Sequence, residues 1–272
     1  VCLLYEIEYP YTFSLIRIIM TRNESVPVEK GSKQAPEKFF IKITADGPYL
    51  IYGNPPIDQE IILPNEEGSS WVYQKGKSFD NSENPVHLCR CGYSKHKPFC
   101  DGSHTHADWD SAETSSKHPL LEGAEQFEGP TMILADNEKY CAFARFCDAY
   151  GRIWNLVQTA ESEEERKLVR HEVGHCPAGR LVLWDKETQK VFEPPFDPSI
   201  GIIEDPGIKV SGPIWVKGGI RIEGADGKSY EIRNRVTLCR CGQSSNKPFC
   251  DGTHASMHFH DGLPLEKGKG EW

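Results

Sequence analysis

The chain has 272 residues, and 31 lysines and arginines against 40 aspartates and glutamates give it a net charge of −9 at pH 7. This negative charge argues against nucleic acid or an anionic membrane as the main partner, because phosphate binding needs a basic face. The length indicates two or three compact units. With 24 glycines and 19 prolines, the composition favours a mainly β fold with short helices over a helical bundle.

The first residues resemble neither a signal peptide nor a membrane span. Residues 1–19 carry Glu6, Glu8 and Arg17 and never reach a long unbroken apolar run. We therefore expect residues 1–36 to be an extension or loose arm, with no membrane anchor. Six of the ten cysteines sit with histidine in ligand spacing, which favours a reducing, cytoplasmic environment over a secreted disulfide scaffold.

Two related stretches predict β-hairpins. Residues 39–53, FFIKITADGPYLIYG, alternate apolar and polar positions around an Asp-Gly-Pro turn. Residues 208–218, IKVSGPIWVKG, repeat the pattern with an Ile-Lys strand, a Gly-Pro turn and a second strand. Farther on, the sequence Ala-Asp-Gly at 225–227 predicts another hairpin turn.

The middle of the chain, residues 118–204, contains the clearest helix signal. Ser162 with Glu165 three residues later is a capping-box pattern. Glu163 is spaced to pair with Lys167 on the same face, and Gly174 is placed to end the helix.

Three cysteines in the middle segment, Cys141, Cys147 and Cys176, look like a reduced ferredoxin-type pattern, since Cys-Pro closes such motifs. A fourth ligand could come from His171 or His175, but no standard spacing results. Buried reduced thiols are the better interpretation, because free cysteine is among the most buried residue types.

A strand is predicted at RLVLW, residues 180–184. The proline-rich connector at 193–207 that follows it predicts a domain boundary.

The strongest feature is a run that occurs twice, 150 residues apart. Aligning residues 84–104 with 234–254 gives 15 identities in 21 positions. Each copy presents three thiols and one imidazole as C-x-C-x8-C-x3-H. The eight candidate ligands are Cys89, Cys91, Cys100, His104, Cys239, Cys241, Cys250 and His254.

Three cysteines and one histidine suit two kinds of metal centre. They can hold zinc tetrahedrally or bind an iron–sulfur cluster, so the ligand types alone do not decide. Structural zinc sites usually place their first two cysteines on a C-x2-4-C knuckle. The tighter C-x-C spacing favours a cluster and leaves zinc as the alternative.

Other residues of the repeat have candidate supporting roles. Asp101 and Asp251 are expected to cap a short helix and satisfy backbone N–H groups near the ligands. Ser94 and Ser244 either hydrogen-bond a sulfur or serve as ordinary turn serines.

Lys97 and Lys247 either tune the ligand histidine or are simply solvated. Trp109 and Phe259 each follow that histidine by five residues, and are interpreted as aromatic lids or as part of an electron path. The copies differ at residues 95–96 and 245–246, so the two sites need not share one potential.

The pattern C-x-C-x2-S-x3-P-x-C-D-G-S/T-H resembles the signature of the CDGSH iron–sulfur domain family, which is mitoNEET-like. The resemblance is tight over residues 89–104 and 239–254. It implies one [2Fe–2S] cluster per copy, two in all, with the C-x-C thiols on one iron and the third cysteine and histidine on the other. The implied domains are 37–112 and 205–266, with residues 118–204 as a divergent ferredoxin-like middle domain.

Family members with one motif pair as homodimers, so two motifs in one chain imply an internal pseudo-dimer and a monomeric protein. The expected fold is mainly β, with two CDGSH domains and a small α+β middle domain. The expected function is electron transfer, cluster transfer or both, towards redox or apo-acceptor proteins, without enzymatic activity. The alternatives are a zinc-stabilised interaction module and a redox subunit whose middle domain carries a further activity.

A histidine ligand has two consequences for such a cluster. A neutral imidazole in place of a thiolate removes one negative charge, so the potential is expected to lie between about −400 mV for plant-type ferredoxins and the about −150 to +300 mV of Rieske centres. Only the neutral imidazole binds iron, and its unperturbed pKa is about 6.5. Cluster stability is therefore expected to depend on pH.

Overall fold

A computed structural model of the chain describes residues 34–263. Residues 1–33 of the expected arm, including Cys2, lie outside the described residues, as do residues 264–272. Within the described range, no helix combines the length and apolar character needed to cross a membrane.

Two sheets contain most of the strands, which confirms the mainly β prediction. The first has the order β12-β1-β2-β5. Its strands are β1 (Phe40–Ile43), β2 (Tyr49–Tyr52), β5 (Val86–Leu88) and β12 (Arg221–Glu223). The second has the order β13-β11-β10-β3-β4. Its strands are β3 (Ile57–Pro64), β4 (Ser70–Ser78), β10 (Ser199–Asp205), β11 (Val210–Lys217) and β13 (Arg235–Leu238).

The two halves of the chain exchange strands: β3 and β4 of the first half lie in the second sheet, and β12 of the second half lies in the first sheet. β3 follows β2 of the first sheet but pairs in parallel with β10 of the second, with Ile57 opposite Ile200. β12 follows β11 of the second sheet but pairs in parallel with β1 of the first, with Ile222 opposite Ile41. All four isoleucines belong to one buried cluster. Each half therefore needs the other to complete its sheet.

The first predicted hairpin is confirmed as β1 and β2, but the second differs from the prediction. Ile208 and Lys209 lie in a turn, where Lys209 has a φ of 55°, and the Gly-Pro pair at 212–213 lies inside β11. The first strand of this hairpin is instead β10. Its residues 199–204 pair with β11, so they belong to the second copy's sheet and not to the middle segment.

The middle segment forms a third sheet packed on two helices. The sheet has the order β6-β7-β8-β9. Its strands are β6 (Glu125–Glu128), β7 (Met132–Asp136), β8 (Leu181–Asp185) and β9 (Val191–Phe192). The helices are α1 (Ile153–Thr159) and α2 (Glu163–His175). A further short helix, α3 (Thr253–Ser256), and 3-10 turns at Ser103–Thr105, Glu138–Tyr140 and Phe146–Asp148 complete the described elements.

The predicted capping box of α2 is confirmed: Ser162 and Glu165 bind each other's backbone N–H groups. Two details differ. Glu163 pairs with Arg166 and Arg170 on its own helix, because their guanidinium groups reach it at 3.8 and 3.1 Å. The helix also continues through Gly174 and ends at His175.

A fully buried arginine joins the middle segment to the second sheet. Arg235 on β13 contacts Glu193 with its Nη2 at 2.8 Å, and its Nη1 donates to the carbonyls of Val173, Gly174 and Cys176 at the end of α2. A buried cation without partners is strongly unfavourable, so these acceptors fix where the end of α2 lies on the sheet.

Replacing Arg235 tests this junction. Arg235→Ala leaves Glu193 without its buried partner, so we expect the free energy of unfolding to fall by about 3–5 kcal/mol. Arg221→Ala on the exposed side of β12 is the control, with an expected effect within about 0.5 kcal/mol. Urea unfolding followed by circular dichroism measures both, and equal effects would contradict the assigned role.

Candidate metal centres

In the first copy, the four candidate ligands form two close pairs. Cys89 Sγ lies 3.7 Å from Cys91 Sγ, and Cys100 Sγ lies 3.4 Å from His104 Nδ1. The return of the loop to β5 places the second pair, because the N–H of Cys100 donates to the carbonyl of His87 at 2.8 Å.

The second copy repeats this geometry. Cys239 Sγ lies 3.8 Å from Cys241 Sγ, and Cys250 Sγ lies 3.4 Å from His254 Nδ1. The N–H of Cys250 donates to the carbonyl of Thr237 on β13 at 2.9 Å, as its counterpart does in the first copy. Both loops therefore present the imidazole through Nδ1.

These distances suit two ligands on one tetrahedral metal. With metal–sulfur bonds of about 2.3 Å, two thiolates on one tetrahedral ion lie about 3.8 Å apart. A thiolate and an imidazole nitrogen bound at about 2.1 Å lie about 3.5 Å apart. Each copy thus fits two metals with two protein ligands each. Within residues 34–263, no group of three or more Cys, His, Asp or Glu side chains is placed to hold one metal ion.

The aspartate after the third cysteine binds backbone N–H groups of the loop, as predicted, but the N-cap of the short helix is the glycine that follows it, Gly102 or Gly252. Asp101 accepts the N–H of Lys95 at 2.8 Å and that of Ser103 at 3.0 Å. The Ser103 side chain, followed by these backbone N–H groups, lowers the pKa of Asp101 far below its usual value. Asp251 accepts the N–H groups of Ser245 and Thr253 in the same way.

Ser94 and Ser244 are turn serines. Their hydroxyls donate to the carbonyls of Phe99 and Phe249, each at 2.6 Å, and accept backbone N–H groups two residues later. The hydroxyls are therefore engaged with the loop backbone and not with a sulfur.

The arginine inside each C-x-C run anchors the ligand loop, a role that the sequence analysis missed. Arg90 donates to the carbonyls of Thr44, Ala45, Gly47 and Ser111 at 2.8–3.0 Å. Its five fixed N–H donors suit several carbonyls at once. The only sequence signal was its recurrence in both copies.

The same arginine has charged partners in the second copy. Arg240 is 2% exposed and pairs with Glu204 at 2.8 Å and with Asp261. It also donates to the carbonyls of Ile203 and Gly212. The two loops thus have different electrostatic surroundings despite their matching sequence.

The two ligand loops touch each other through glycine. A Cβ on Gly92 would collide with the carbonyl of Cys241, and a Cβ on Gly242 would collide with the carbonyl of Cys91. Both glycines also have positive φ, 83° and 78°. Each loop therefore packs its backbone directly against a ligand residue of the other.

A tyrosine of the first sheet supports the second site. Tyr49 is fully buried, and its hydroxyl donates to the carbonyls of Cys239 and Pro248 at 2.9 and 3.2 Å. Burial raises the pKa of Tyr49, so the hydroxyl keeps its proton and remains a donor.

One thiol of each C-x-C pair is readily ionised. The neighbouring Cys91 thiol, together with the backbone N–H groups of Ser94 and Gly92, lowers the pKa of Cys89 to about 6. The equivalent contacts lower the pKa of Cys239 to about 7.

The pKa of the other ligand thiols is raised, by the neighbouring thiol at Cys91 and Cys241 and by burial at Cys100 and Cys250. Since the thiolate is the form that binds a metal, each loop supplies one thiolate readily at neutral pH.

The two lysines of the repeat act on cysteine ligands. The positive charges of Lys97 and Lys247 act on Cys89 and Cys239, so the structure does not support tuning of the histidines. Lys97 Nζ donates to the carbonyl of Ser94 at 2.6 Å.

Of the two predicted lids, Phe259 packs in one apolar cluster with Cys239 and Cys241. Trp109 lies edge-on to His104, with ring centroids 6.4 Å apart.

The two sites differ in exposure at the cysteine–histidine pair. His104 is partly exposed, whereas His254 is 4% exposed. The middle segment causes this difference. A Cβ on Gly102 would have nothing within 4 Å, but one on the equivalent Gly252 would lie 3.2 Å from the carbonyl of Cys141. Burial, followed by the charge of Arg240, lowers the pKa of His254 to about 4.

The three middle cysteines converge on one small cavity. Cys141, Cys147 and Cys176 line it together with Arg180, and its volume is about 20 Å³. Burial raises the pKa of Cys141 and that of Cys147, so both stay protonated at neutral pH. The cavity adjoins the second site, because Cys176 packs against the ligand Cys250. All three thiols are free and partly buried, whereas fully buried thiols were predicted.

Comparison with known families assigns all three segments. Residues 46–105 and 211–255 match the family described as iron-binding zinc finger CDGSH type. The chain is a tandem CDGSH protein. Between the two copies, residues 127–186 match the family described as divergent 4Fe-4S mono-cluster. The tandem CDGSH protein is therefore an iron–sulfur protein. No curated protein and no solved structure matches the chain.

The middle residues do not supply the ligands of a four-iron cluster bound by four cysteines. Three thiols line the cavity, and no further Cys, His, Asp or Glu side chain lines it. Arg180 Nη1 is buried there without a hydrogen-bond partner among the described residues, which would suit an anion, but the cavity lining holds no fourth ligand.

The glycine contact between the loops can be tested with a matched pair of variants. Gly242→Ala and Gly227→Ala place an alanine at the same φ of 78°, but a Cβ at Gly227 meets nothing within 4 Å. The shared backbone strain is roughly 1–2 kcal/mol.

We expect Gly242→Ala to destabilise the tandem CDGSH protein by about 1–3 kcal/mol more than Gly227→Ala, and to lower the iron content of both sites. Urea unfolding and iron analysis measure these effects. Equal losses in the two variants would contradict a tight contact between the loops.

Proposed function

We propose that the tandem CDGSH protein binds one [2Fe–2S] cluster in each copy through three cysteines and one histidine, and acts as an electron carrier, a cluster donor or both. The observation that carries this proposal is the pairing of the ligands, two by two, at distances suited to one metal per pair. A zinc site would gather four ligands on one ion. The paired arrangement therefore favours a two-metal group over the zinc-stabilised module. When bound, such a group supplies reversible one-electron exchange.

The proposal includes an internal pseudo-dimer. It is supported by the reciprocal exchange of β3 and β12 between the sheets, and by the reciprocal contacts of Gly92 and Gly242 with ligand residues of the opposite loop. On this basis one chain supplies both halves of the paired arrangement, and a monomer suffices.

The chain's own residues prepare each site to hold a metal. Cys89 and Cys239 ionise readily, and the low pKa of His254 keeps its imidazole neutral at physiological pH, with Nδ1 free to bind. The N–H groups of Gly92 and Ser94 are donors towards the sulfur of Cys89. These donors offset part of the negative charge that builds up on the thiolates.

We further propose different roles for the two sites. His104 is partly exposed and the Gly102 turn is uncovered, so partner proteins and protons reach the first site. His254 and Cys250 are buried under the middle segment. The first site is thus suited to cluster exchange, and the second to retaining its cluster for electron transfer.

The proposed partners are redox proteins or apo-acceptors, and the proposed location is a reducing compartment such as the cytoplasm. The cysteines within residues 34–263 are all free, as the ligands must be. We propose a carrier role without an enzymatic reaction of its own.

Iron and sulfide analysis tests the kind and number of centres. Two [2Fe–2S] clusters require about four irons and four sulfides per chain and a red-brown colour, whereas an additional four-iron cluster would raise each count to about eight. We expect about four, because only three cysteines and no other metal-ligating side chain line the thiol cavity of the middle segment. Colourless protein containing zinc would overturn the proposal.

Cluster transfer to an apo-ferredoxin tests the difference between the sites. At pH 7 and pH 5.5 we expect one fast and one slow phase in the visible absorption, with the fast phase accelerated at pH 5.5. Protons compete with a metal for a ligand imidazole, and His104 is the more accessible of the two ligand histidines.

His104→Cys and His254→Cys form the matched pair for this experiment. We expect His104→Cys to abolish the acid acceleration of the fast phase and His254→Cys to leave it intact. A single phase that responds equally to both variants would contradict distinct roles for the two sites. Reduction of both centres by dithionite without any transfer would restrict the function to electron transfer.

A further inference from the structure

A cleft of about 560 Å³ lies between α2 and the second sheet, away from both ligand loops. One wall is formed by α2, including His171 and His175. The other is formed by β3, β4 and β11 and by the segment from Phe192 to Phe196. Its volume falls within the roughly 300–1,000 Å³ of small-molecule sites, which often lie where two units of a protein meet.

The sheet side of the cleft is aromatic. Tyr73 and Trp215 have ring centroids 4.6 Å apart, and Phe196 stands edge-on to Trp215 at 5.4 Å. Flat aromatic surfaces of this kind favour a planar ring, which stacks face to face or against an edge.

The charges around the cleft leave one cation unbalanced. Lys217 is 9% exposed and pairs with Glu60 at 2.5 Å. Arg170 shares Glu163 and Asp185 with Arg166, so these four charges cancel.

Lys167 also lines the cleft, and no ion pair holds it within the described part of the chain. Burial lowers the pKa of both cleft histidines, His171 and His175, so they add no charge at pH 7. The cleft thus carries one free positive charge and suits a monoanion.

An unused hydrogen-bond donor also lies at this wall. Trp215 is 3% exposed and lines the cleft, and its Nε1 is buried without a partner among the described residues. Buried indole N–H groups usually find an acceptor, because an unsatisfied donor costs about 1–3 kcal/mol. A ligand with an acceptor atom would satisfy it.

Comparison of the two copies shows that Trp215 and Lys217 are not needed to build the sheet. β2 and β11 occupy equivalent places, since Tyr49 and Ile214 are opposite Leu88 and Leu238. By this alignment, Trp215 corresponds to Leu50 and Lys217 to Tyr52. The second copy therefore differs from the first at the two β11 positions that line the cleft.

From the aromatic wall, the free lysine and the unpartnered indole N–H, we propose that this cleft binds a planar aromatic monoanion of the carboxylate class. The ring system lies against Tyr73 and Trp215, and the carboxylate is attracted by Lys167. An acceptor atom of the ligand takes the N–H of Trp215. The site includes no cluster ligand, so this proposal can be tested independently of the proposed redox function.

Isothermal titration of the full-length, cluster-loaded protein with 2-naphthoate tests the proposal, with the neutral 2-naphthalenemethanol as the analogue. We expect 2-naphthoate to bind once per chain and more tightly than the alcohol. Lys167→Ala is expected to weaken 2-naphthoate about tenfold and to leave the alcohol unchanged. Trp215→Phe, which keeps an aromatic ring, is expected to weaken both about fivefold.

Lys190→Ala and Trp184→Phe are the matched controls, because neither residue lines the cleft. We expect wild-type affinity from both. Absence of binding by 2-naphthoate, equal affinity for acid and alcohol, or an affinity unchanged in Lys167→Ala would overturn the proposal. Lys167 is exposed, so its replacement tests charge recognition without disturbing the fold.

Discussion

The backbone contact between the two ligand loops is the constraint on which the rest of the structure depends. Gly92 lies against the carbonyl of Cys241, and Gly242 against that of Cys91, at separations that leave no room for a side chain. The exchanged strands β3 and β12 hold the two halves in the orientation that this contact requires. Because each loop abuts a ligand residue of the other, neither site can shift without disturbing its neighbour.

The middle segment makes the two copies of the repeat unequal. It packs its cysteine loop on the second copy, where the carbonyl of Cys141 approaches Gly252, and leaves the corresponding turn at Gly102 open. Burial raises the energy of a charged imidazole, so the covered His254 stays neutral over a wider pH range. One repeated sequence thus forms an open site and a covered site, and the two roles that we propose rest on this difference.

Buried cations show how the same residue acquires different partners. Arg90 donates to carbonyls and lies over the rings of Tyr49 and Trp109 near the first site, whereas Arg240 pairs with Glu204 and Asp261 near the second. Both sets of partners provide hydrogen-bond acceptors for the buried guanidinium, whose burial without partners would be strongly unfavourable. The electrostatic surroundings of the two candidate sites therefore differ although their ligand residues match. This difference adds to the unequal burial of His104 and His254.

The sequence by itself predicted the candidate ligand sets, the contacts of Asp101 with the loop backbone, the capping box at Ser162 and the mainly β fold, because each shows in composition or in the spacing of residues close in the chain. It misplaced the start of the second hairpin, since Ile208 and Lys209 resemble a strand but the partner of β11 is the segment 199–205. Only the tertiary structure decided the strand exchange, the cover over His254 and the aromatic cleft. These features join residues far apart in the chain, such as Ile57 with Ile200, Cys141 with Gly252 and Tyr73 with Trp215, where local spacing carries no information about which surfaces meet.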